Sequence, residues 1–242
     1  TWDRHPLLEA AIRLMGVPDD LAVRLSIFSE APAGASTGTS AAVTVALVGA
    51  LDRLTPGRLS LYETARAAHR VETDLLGLQS GVQDQLCSVF GGICDIDMTA
   101  YPHAAVSPVH LPDETWWELE RRLVLVYLGR SHSSSEVHGR VIRDLENGGP
   151  DDPRIEALRQ TADPARDALC AGDFGAFGRL MVRNTDAQAA LHPALVSEDA
   201  RRVIEIAKRH GALGWKVNGA GGEGGSVTLL AGGLSHRKRE LI

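Results

Sequence analysis

The sequence has few of the features that mark membrane-spanning, secreted or disulfide-bonded proteins. Among its 242 residues, no run of about 18 or more apolar residues is free of glycine, serine and charge, and no basic segment followed by an apolar one opens the chain. Its three cysteines, Cys87, Cys94 and Cys170, are an odd number and lack metal-ligand spacing. We therefore expect a protein of the reducing cytoplasm, without a membrane partner.

A concentrated patch of positive charge is also missing. The net charge is -6 at pH 7, and the lysines and arginines are scattered along the chain, which argues against nucleic acid as a partner. Hydrophobic residues, in contrast, make up 44% of the sequence, enough for a real core. The length suits one large domain or two moderate domains that share an interface.

The segment 31–51 combines a flexible polar loop with an apolar helix. The loop contains glycine, proline and four hydroxyl residues, and it leads into an uncharged run of alanine, valine and leucine that lasts until Asp52. Because the first N–H groups of a helix lack partners and carry partial positive charge, this junction suits a phosphate group. The alternative is a core helix capped by Thr39 or Ser40. The residues alone leave both interpretations open.

Two acidic residues in the segment 72–92 are candidates for chemistry. Glu72 lies near the end of a predicted helix, where the helix dipole disfavours a carboxylate, so that a bound cation would account for it. Asp84 follows the glycine-rich turn 78–81, at a point where a short helix can begin. The alternative for Asp84 is structural, as an N-cap or a first-turn acid.

A glycine-rich segment near the end of the sequence fits two patterns. Residues 219–224 match G-x-G-x-x-G, the dinucleotide-binding pattern, which acts only between a strand and a helix. Here the glycines precede a predicted strand at 226–231, so no dinucleotide-binding unit is implied. We expect instead a backbone that closes over a site where side chains would obstruct the ligand. Lys216 is predicted either to contact a phosphate or to lie on the solvated surface.

Hydrophobic periodicity predicts the remaining elements. Helices are expected at 5–15, 59–76, 134–145, 154–171, 174–191 and 197–210. Strands are expected at 21–28, 93–98, 121–129 and 226–231. The C-terminal helices are predicted to cover one face of a sheet that contains the strands 121–129 and 226–231.

Three motifs in this order resemble the superfamily of galactokinase, homoserine kinase, mevalonate kinase and phosphomevalonate kinase, the GHMP kinases. Residues 32–41, PAGASTGTSA, are similar to its second motif, P-x-x-x-G-L-G-S-S-A, with Ser36 and Thr37 at the usual Gly and Leu and Thr39 at the first Ser. The segment 72–92 is most similar to the heptose-phosphate and related sugar kinase branch. Residues 211–227 resemble the third motif, in which Glu223 stands at a usual glycine.

This resemblance implies an α+β fold of two lobes, with mixed and antiparallel sheets covered by helices and the active site between the lobes. We expect an N-terminal lobe at 1–118 and a C-terminal lobe at 119–242. The first motif of the family precedes the region where this sequence starts. We therefore expect either a fragment or a lineage that has lost part of the first lobe.

The resemblance also implies ATP and Mg²⁺ as cofactors and suggests site residues. The ATP phosphates would lie on Pro32, Gly34, Ser36, Thr37, Gly38, Thr39 and Ser40. Ser40 and Glu72 would hold Mg²⁺, which prefers oxygen ligands. Asp84 would act as the catalytic base or orient the acceptor hydroxyl. Substrate contacts are expected from Arg130, Ser133, Gly219, Gly221 and Gly222. For Arg130 and Ser133, the alternative is a polar loop that caps the helix 134–145.

These assignments predict an ATP-dependent kinase that phosphorylates a hydroxyl of a small molecule, a sugar or sugar phosphate. The departures at Ser36, Thr37 and Glu223 support the alternative, a degenerate homologue that binds nucleotide or sugar without catalysis. The oligomeric state is left open, with a homodimer as one arrangement. The sequence does not name the acceptor, because specificity depends on pocket contacts.

Overall fold

The computed structural model of the chain describes residues 3–32, 34–54, 57–130, 134–146, 148–149, 152–219, 221–222 and 224–233, with the backbone alone for 134–138. The chain forms two compact units. The first lies within Thr1–Pro32 and Gly38–Pro108, and the second within Ala33–Thr37 and Val109–Ile242. The chain thus passes into the second unit after Pro108, whereas the sequence-based prediction placed the division at residue 118.

The first unit consists of helices followed by a β-hairpin. In chain order, it contains α1 (Pro6–Met15), α2 (Thr39–Asp52), α3 (Leu61–Arg70), a π-helical turn (Val71–Leu75), α4 (Gln83–Phe90), β1 (Ile93–Ala100) and β2 (His103–Val109). Buried leucines of α2 pack with Ala10 and Ala11 of α1 and with Val71. A reciprocal capping box of Ser60 and Glu63 starts α3. These contacts hold α2 against α1 and against the π-helical turn after α3, and α2 and that turn carry candidate site residues.

The second unit packs helices on an antiparallel sheet. It contains α5 (Asp113–Arg122), β3 (Leu123–Tyr127), α6 (Ser134–Leu145), α7 (Pro153–Arg159), α8 (Ala162–Cys170), α9 (Phe174–Leu191), α10 (Glu198–Arg209), β4 (Ala212–Val217) and β5 (Ser226–Ala231). The strand order is β3-β5-β4, with Val227 opposite both Val126 and Val217. The core of the unit lies between this sheet and α10, where Ala200, Ile204 and Ala207 are buried against the strands. The predicted covering of the sheet by helices is confirmed.

Two glycines allow α9 to lie against β4. A Cβ atom added to Gly178 would lie 2.5 Å from the backbone oxygen of Leu213, and one added to Gly214 would lie 2.4 Å from that of Gly178. Real Cβ atoms do not approach backbone this closely, so the two elements can touch only because both positions lack a side chain. The approach brings Gln188 of α9 within reach of the segment that follows β4.

Two predicted elements differ from the structure. The expected strand at 21–28 is wrong, because these residues have no regular secondary structure and their Leu21, Ile27 and Phe28 side chains are exposed. A strand requires a neighbour, and no described strand pairs with this segment. The expected helix at 154–171 is divided into α7 and α8 by residues 160–161. Of the helices in the described ranges, none is both long and apolar enough to cross a membrane.

Candidate active site

Glu72 lies in the π-helical turn and is only 5% exposed. Its Oε2 atom accepts hydrogen bonds from Ser80 Oγ at 2.5 Å and from Gln85 Nε2 at 3.0 Å, whereas its Oε1 atom is buried without a partner. π-Helical turns often mark functional sites because they change the direction of a side chain within a helix. The carboxylate is thus held through one oxygen while the other lacks a donor.

A divalent cation fits these oxygen atoms. The Oε1 atom of Gln85 is also buried without a partner, and leaving such acceptors unsatisfied is costly. Among the described residues, no group of three or more His, Cys, Asp or Glu side chains could hold a metal on its own. Mg²⁺ suits such a set, because it commonly binds one or two carboxylates together with substrate phosphates and water. The residues present therefore fit this ion.

Asp84 lies against the start of α2. It is exposed and is the second residue of α4, whose N-cap is Val82, so that the N-cap alternative for Asp84 is wrong and the first-turn position is correct. A Cβ atom added to Gly38 would lie 3.2 Å from Asp84 Cγ and 3.4 Å from its Oδ2. Gln85, the next residue of α4, donates to Glu72. Two adjacent residues of α4 thus face different parts of the candidate site, Asp84 the start of α2 and Gln85 the buried carboxylate.

The first turn of α2 is open to an anion. The helix begins after Gly38, which has a left-handed backbone with φ of 70°, and no side chain caps its N-terminus. The N-cap residue is thus Gly38, and Thr39 and Ser40 are the first two residues of the helix. Ser40 is exposed, and its carbonyl accepts a hydrogen bond from Thr44 Oγ1 at 2.8 Å. The uncapped N–H groups of this turn are suited to phosphate.

The preceding residues of the loop belong to the second unit. Ala35 is buried, and its carbonyl accepts a hydrogen bond from Ser226 Oγ at 2.5 Å. Ser36 has a left-handed backbone with φ of 55°, and its Oγ atom is buried without a partner. Gly34 also has a positive φ, of 74°. Pro32 and Thr37 are exposed.

The glycine-rich segment connects the antiparallel strands β4 and β5, which confirms that it is not a dinucleotide-binding unit. A Cβ atom on Gly219 would lie 3.1 Å from Ser36 Cβ, and one on Gly221 would lie 1.7 Å from the Leu195 carbonyl oxygen. The Gly222 N–H donates to the Ala194 carbonyl at 3.1 Å. Close packing against residues 194–195 therefore accounts for glycine at 221. The substrate contacts expected from these glycines stay predictions.

Comparison with known protein families decides where the chain belongs. The family model of the GHMP kinases N terminal domain matches residues 6–92, and the GHMP kinases C terminal model matches residues 165–236. Together they cover more than half of the chain. The chain belongs to the GHMP kinase family. The resemblance of its three motifs to this family is thereby confirmed.

Individual GHMP kinases are similar to this chain over most of its length. The D-glycero-alpha-D-manno-heptose 7-phosphate kinase of Campylobacter jejuni is 25% identical over 84% of the chain, and the mevalonate kinase of Thermococcus onnurineus is 33% identical over 86%. The chain spans 60% of the length of both relatives. A crystal structure of a heptose 1-phosphate kinase from Bacteroides thetaiotaomicron superposes with a TM-score of 0.69, at 23% identity, covering 98% of this chain and 66% of that chain. The α+β fold is therefore that of GHMP kinases.

The predicted acceptor contacts are only partly described in this GHMP kinase chain. Ser133 lies outside the described residues. Arg130 has an exposed side chain, and its carbonyl accepts a hydrogen bond from the Gly225 N–H at 3.2 Å. A Cβ atom on Gly224 would lie 2.2 Å from the same carbonyl oxygen. The backbone of Arg130 is therefore fixed beside the glycine-rich segment, and the acceptor contact expected from its side chain stays a prediction.

Lys216 is not the solvated surface residue that one alternative from the sequence suggests. Its Nζ atom donates to Gln188 Oε1 at 2.6 Å and to the Val217 carbonyl, and Gln188 Nε2 in turn donates to the Gly219 carbonyl at 2.9 Å. Burial lowers the pKa of Lys216 to about 8, because desolvation disfavours the charged amine. Lys216 thus bonds to Gln188, which in turn bonds to the glycine-rich segment, and its contact with a phosphate stays a prediction.

Sequence analysis missed the residues that surround Glu72. Ser80 and Gln85 lie inside the segment 72–92 that resembles the family, yet neither has a spacing that marks it as a partner of Glu72. His69 and Tyr101 contact Ser80 from α3 and from the turn of the hairpin. His69, a histidine on the amphipathic helix α3, was the available signal in the sequence. A histidine in such a helix does not indicate which residue it contacts.

Proposed function

We propose that this chain catalyses the transfer of the γ-phosphoryl group of ATP to a hydroxyl of a sugar or sugar phosphate. One observation carries the proposal. The Asp84 carboxyl lies against Gly38 at the uncapped start of α2, while the next residue, Gln85, holds a buried carboxylate with one oxygen unpartnered. A base, an anion-binding helix start and a cation ligand thus converge on neighbouring residues.

The loop 34–40 would bind the ATP phosphates. Its residues 38–40 supply the first N–H groups of α2, whose partial positive charge is not used by a side-chain cap. The Ser40 hydroxyl and the Glu72 carboxylate would hold Mg²⁺, and Mg²⁺ when bound would neutralise charge on the phosphates. Phosphoryl transfer depends mainly on such positioning and charge stabilisation.

Asp84 would accept the proton of the attacking hydroxyl. Its side chain is exposed, whereas that of Glu72 is buried, so that an acceptor can approach Asp84 from solvent. Its place beside the helix start brings the base close to the phosphate position, as in-line transfer requires.

A sugar phosphate is the favoured acceptor. The similarity to the heptose 7-phosphate kinase of Campylobacter jejuni supports an anionic sugar, and so does the exposed Arg130, whose backbone lies beside Gly224, since arginine binds phosphate in a bidentate manner. Mevalonate is a second candidate, because the mevalonate kinase of Thermococcus onnurineus is more similar, at 33% identity. Both acceptors combine a hydroxyl with a negative charge.

A phosphotransfer assay on a panel of heptose 7-phosphate, heptose 1-phosphate, galactose and mevalonate tests both candidates. We expect Asp84→Asn to lower kcat about 10²–10⁴-fold on the preferred acceptor, because the amide cannot accept the proton. Asp74→Asn is the matched control, since Asp74 is an exposed acid paired with Arg70 in the same unit. Undiminished turnover in Asp84→Asn would refute the role of Asp84. Tight nucleotide binding by calorimetry with no turnover on any acceptor would favour the non-catalytic alternative.

A further inference from the structure

We infer that Ser80 is a positioning residue for the proposed cation site, and that its hydroxyl fixes one oxygen of Glu72 so that the other is presented to Mg²⁺. This inference rests on the proposed function. It concerns the segment 76–82, which connects the π-helical turn to α4 and has no regular secondary structure of its own. The position of Ser80 therefore depends on side-chain contacts.

The first step of the argument is the asymmetry of the Glu72 carboxylate. Both of its donors, Ser80 Oγ and Gln85 Nε2, bind the same oxygen, Oε2, at 2.5 and 3.0 Å. Rotation of the carboxylate would break two hydrogen bonds to a charged acceptor, which are about twice as strong as neutral ones. The two donors consequently fix which oxygen is left for a ligand, and that oxygen is the buried Oε1 atom without a partner.

The second step is that Ser80 is itself held from two other elements. Tyr101 Oη donates to the Ser80 carbonyl at 3.0 Å, and His69 Nε2 lies 3.3 Å from the same carbonyl and 2.9 Å from Tyr101 Oη. His69 is 3% exposed and Tyr101 58% exposed, so only the histidine end of this arrangement is shielded from water. The hairpin turn and α3 thus clamp the residue that holds Glu72.

A purely structural role for Ser80 predicts a different outcome. A hydroxyl that only satisfies a buried carboxylate would stabilise the unit without favouring either oxygen for a ligand. A positioning hydroxyl affects the affinity for the cation and leaves the metal-free binding of nucleotide unchanged. Partners that orient a metal ligand in this way typically change metal affinity 10–100-fold.

The test is calorimetric titration of the full chain with a non-hydrolysable ATP analogue, at a series of Mg²⁺ concentrations and in EDTA. For Ser80→Ala we expect about 10–100-fold weaker Mg²⁺ affinity in the nucleotide complex, with unchanged nucleotide affinity in EDTA. Ser80→Thr, which keeps the hydroxyl, should restore the Mg²⁺ affinity. Tyr101→Phe should weaken it several-fold. Ser88→Ala is the control, because the Ser88 hydroxyl donates to the Asp84 carbonyl within its own helix.

Each result separates the inference from the function on which it rests. Wild-type Mg²⁺ affinity in Ser80→Ala overturns the inference and leaves the kinase proposal intact. Equal losses with and without Mg²⁺ also overturn it, because they indicate a structural role. If Ser80→Ala does not fold, Tyr101→Phe tests the inference instead. Unchanged Mg²⁺ affinity in Tyr101→Phe then overturns the inference that Ser80 is held in place for Glu72. A wild-type chain whose nucleotide binding does not depend on Mg²⁺ refutes the proposed cation site itself.

Discussion

Ser36 and Gly38 lie two residues apart in the proposed phosphate loop and share a left-handed backbone, with φ of 55° and 70°. They differ in what occupies the space beside them. At Gly38 a side chain would meet the carboxyl group of Asp84, a charged group with a proposed role in catalysis. At Ser36 the side chain meets Gly219, which has no side chain of its own. Glycine is thus retained on the loop in one case and on the neighbouring segment in the other.

This difference explains how the chain accommodates its departure from the family motif. Position 36 is usually glycine in the motif, and a side chain there costs roughly 1–2 kcal/mol through the left-handed backbone. The loop at Ser36 can still lie close to the glycine-rich segment, because Gly219 has no side chain and leaves room for that of Ser36. Position 38 has no such compensation, since its neighbour is Asp84. The comparison therefore predicts unequal tolerance at the two positions.

The largest effect is expected for Gly38→Ala. The new Cβ atom would lie 3.2 Å from Asp84 Cγ, so the carboxyl group must shift away from the start of α2. Because displacement of a catalytic group by about 1 Å costs up to about 10²-fold in rate, and the shift required here is a few tenths of an ångström, we expect kcat to fall several-fold, up to about 10-fold. Stability should also fall by about 1–2 kcal/mol, because of the positive φ. Steady-state kinetics and urea denaturation measure the two effects.

Gly49→Ala is the matched control for this change. Gly49 lies inside α2, and a Cβ atom there would meet nothing within 4 Å. Alanine is favoured over glycine in a helix interior by about 0.5–1 kcal/mol, so this variant should be more stable and fully active. If both variants lose activity equally, the contact between Gly38 and Asp84 is not what limits the rate.

Much of the fold was predictable because local signals are strong where elements are long and capped. The prediction for α9 coincides with Phe174–Leu191, where Asp173 caps the N-terminus, and the predicted strand 226–231 coincides with β5. The strand expected at 21–28 was wrong, because pairing depends on residues distant in sequence. Local alternation indicates a suitable side-chain pattern but does not supply a neighbouring strand.

The residues of the candidate site also fall into two groups, those that the sequence predicts and those that it does not. Gly38, Glu72 and Asp84 could be found from motif order, since each belongs to a segment with family resemblance. Ser80, His69 and Tyr101 could not, because their contacts join residues that are 8 to 32 positions apart. The burial of Lys216 was equally invisible, since it depends on how α9 packs on β4. Sequence thus identifies groups that act on a ligand better than the groups that position them.

An intermediate effect is expected for Gly219→Ala. The substitution places a Cβ atom 3.1 Å from Ser36 Cβ and strains a backbone with φ of 56°, so we expect a loss of about 2 kcal/mol in the free energy of unfolding. The double variant with Ser36→Gly removes the contact and leaves the strain. A coupling energy of at least about 0.5 kcal/mol between the two sites, measured by a double-mutant cycle in urea, would support the compensation. Strict additivity would show that Gly219 does not compensate for Ser36.

The smallest effect, opposite in sign, is expected for Ser36→Gly alone. Glycine removes the cost of the left-handed backbone and the buried hydroxyl that has no partner, which outweighs the greater flexibility that glycine gives the unfolded chain. We expect a gain of about 1 kcal/mol, or roughly 2–4 °C in the midpoint of thermal unfolding. The same substitution at Ser88, inside α4, should destabilise by about 0.5–1 kcal/mol, because helical φ values give glycine no advantage. A loss of stability in Ser36→Gly would mean that the Ser36 hydroxyl makes a favourable contact. The free space beside positions 36 and 38 would then not explain why one is serine and the other glycine.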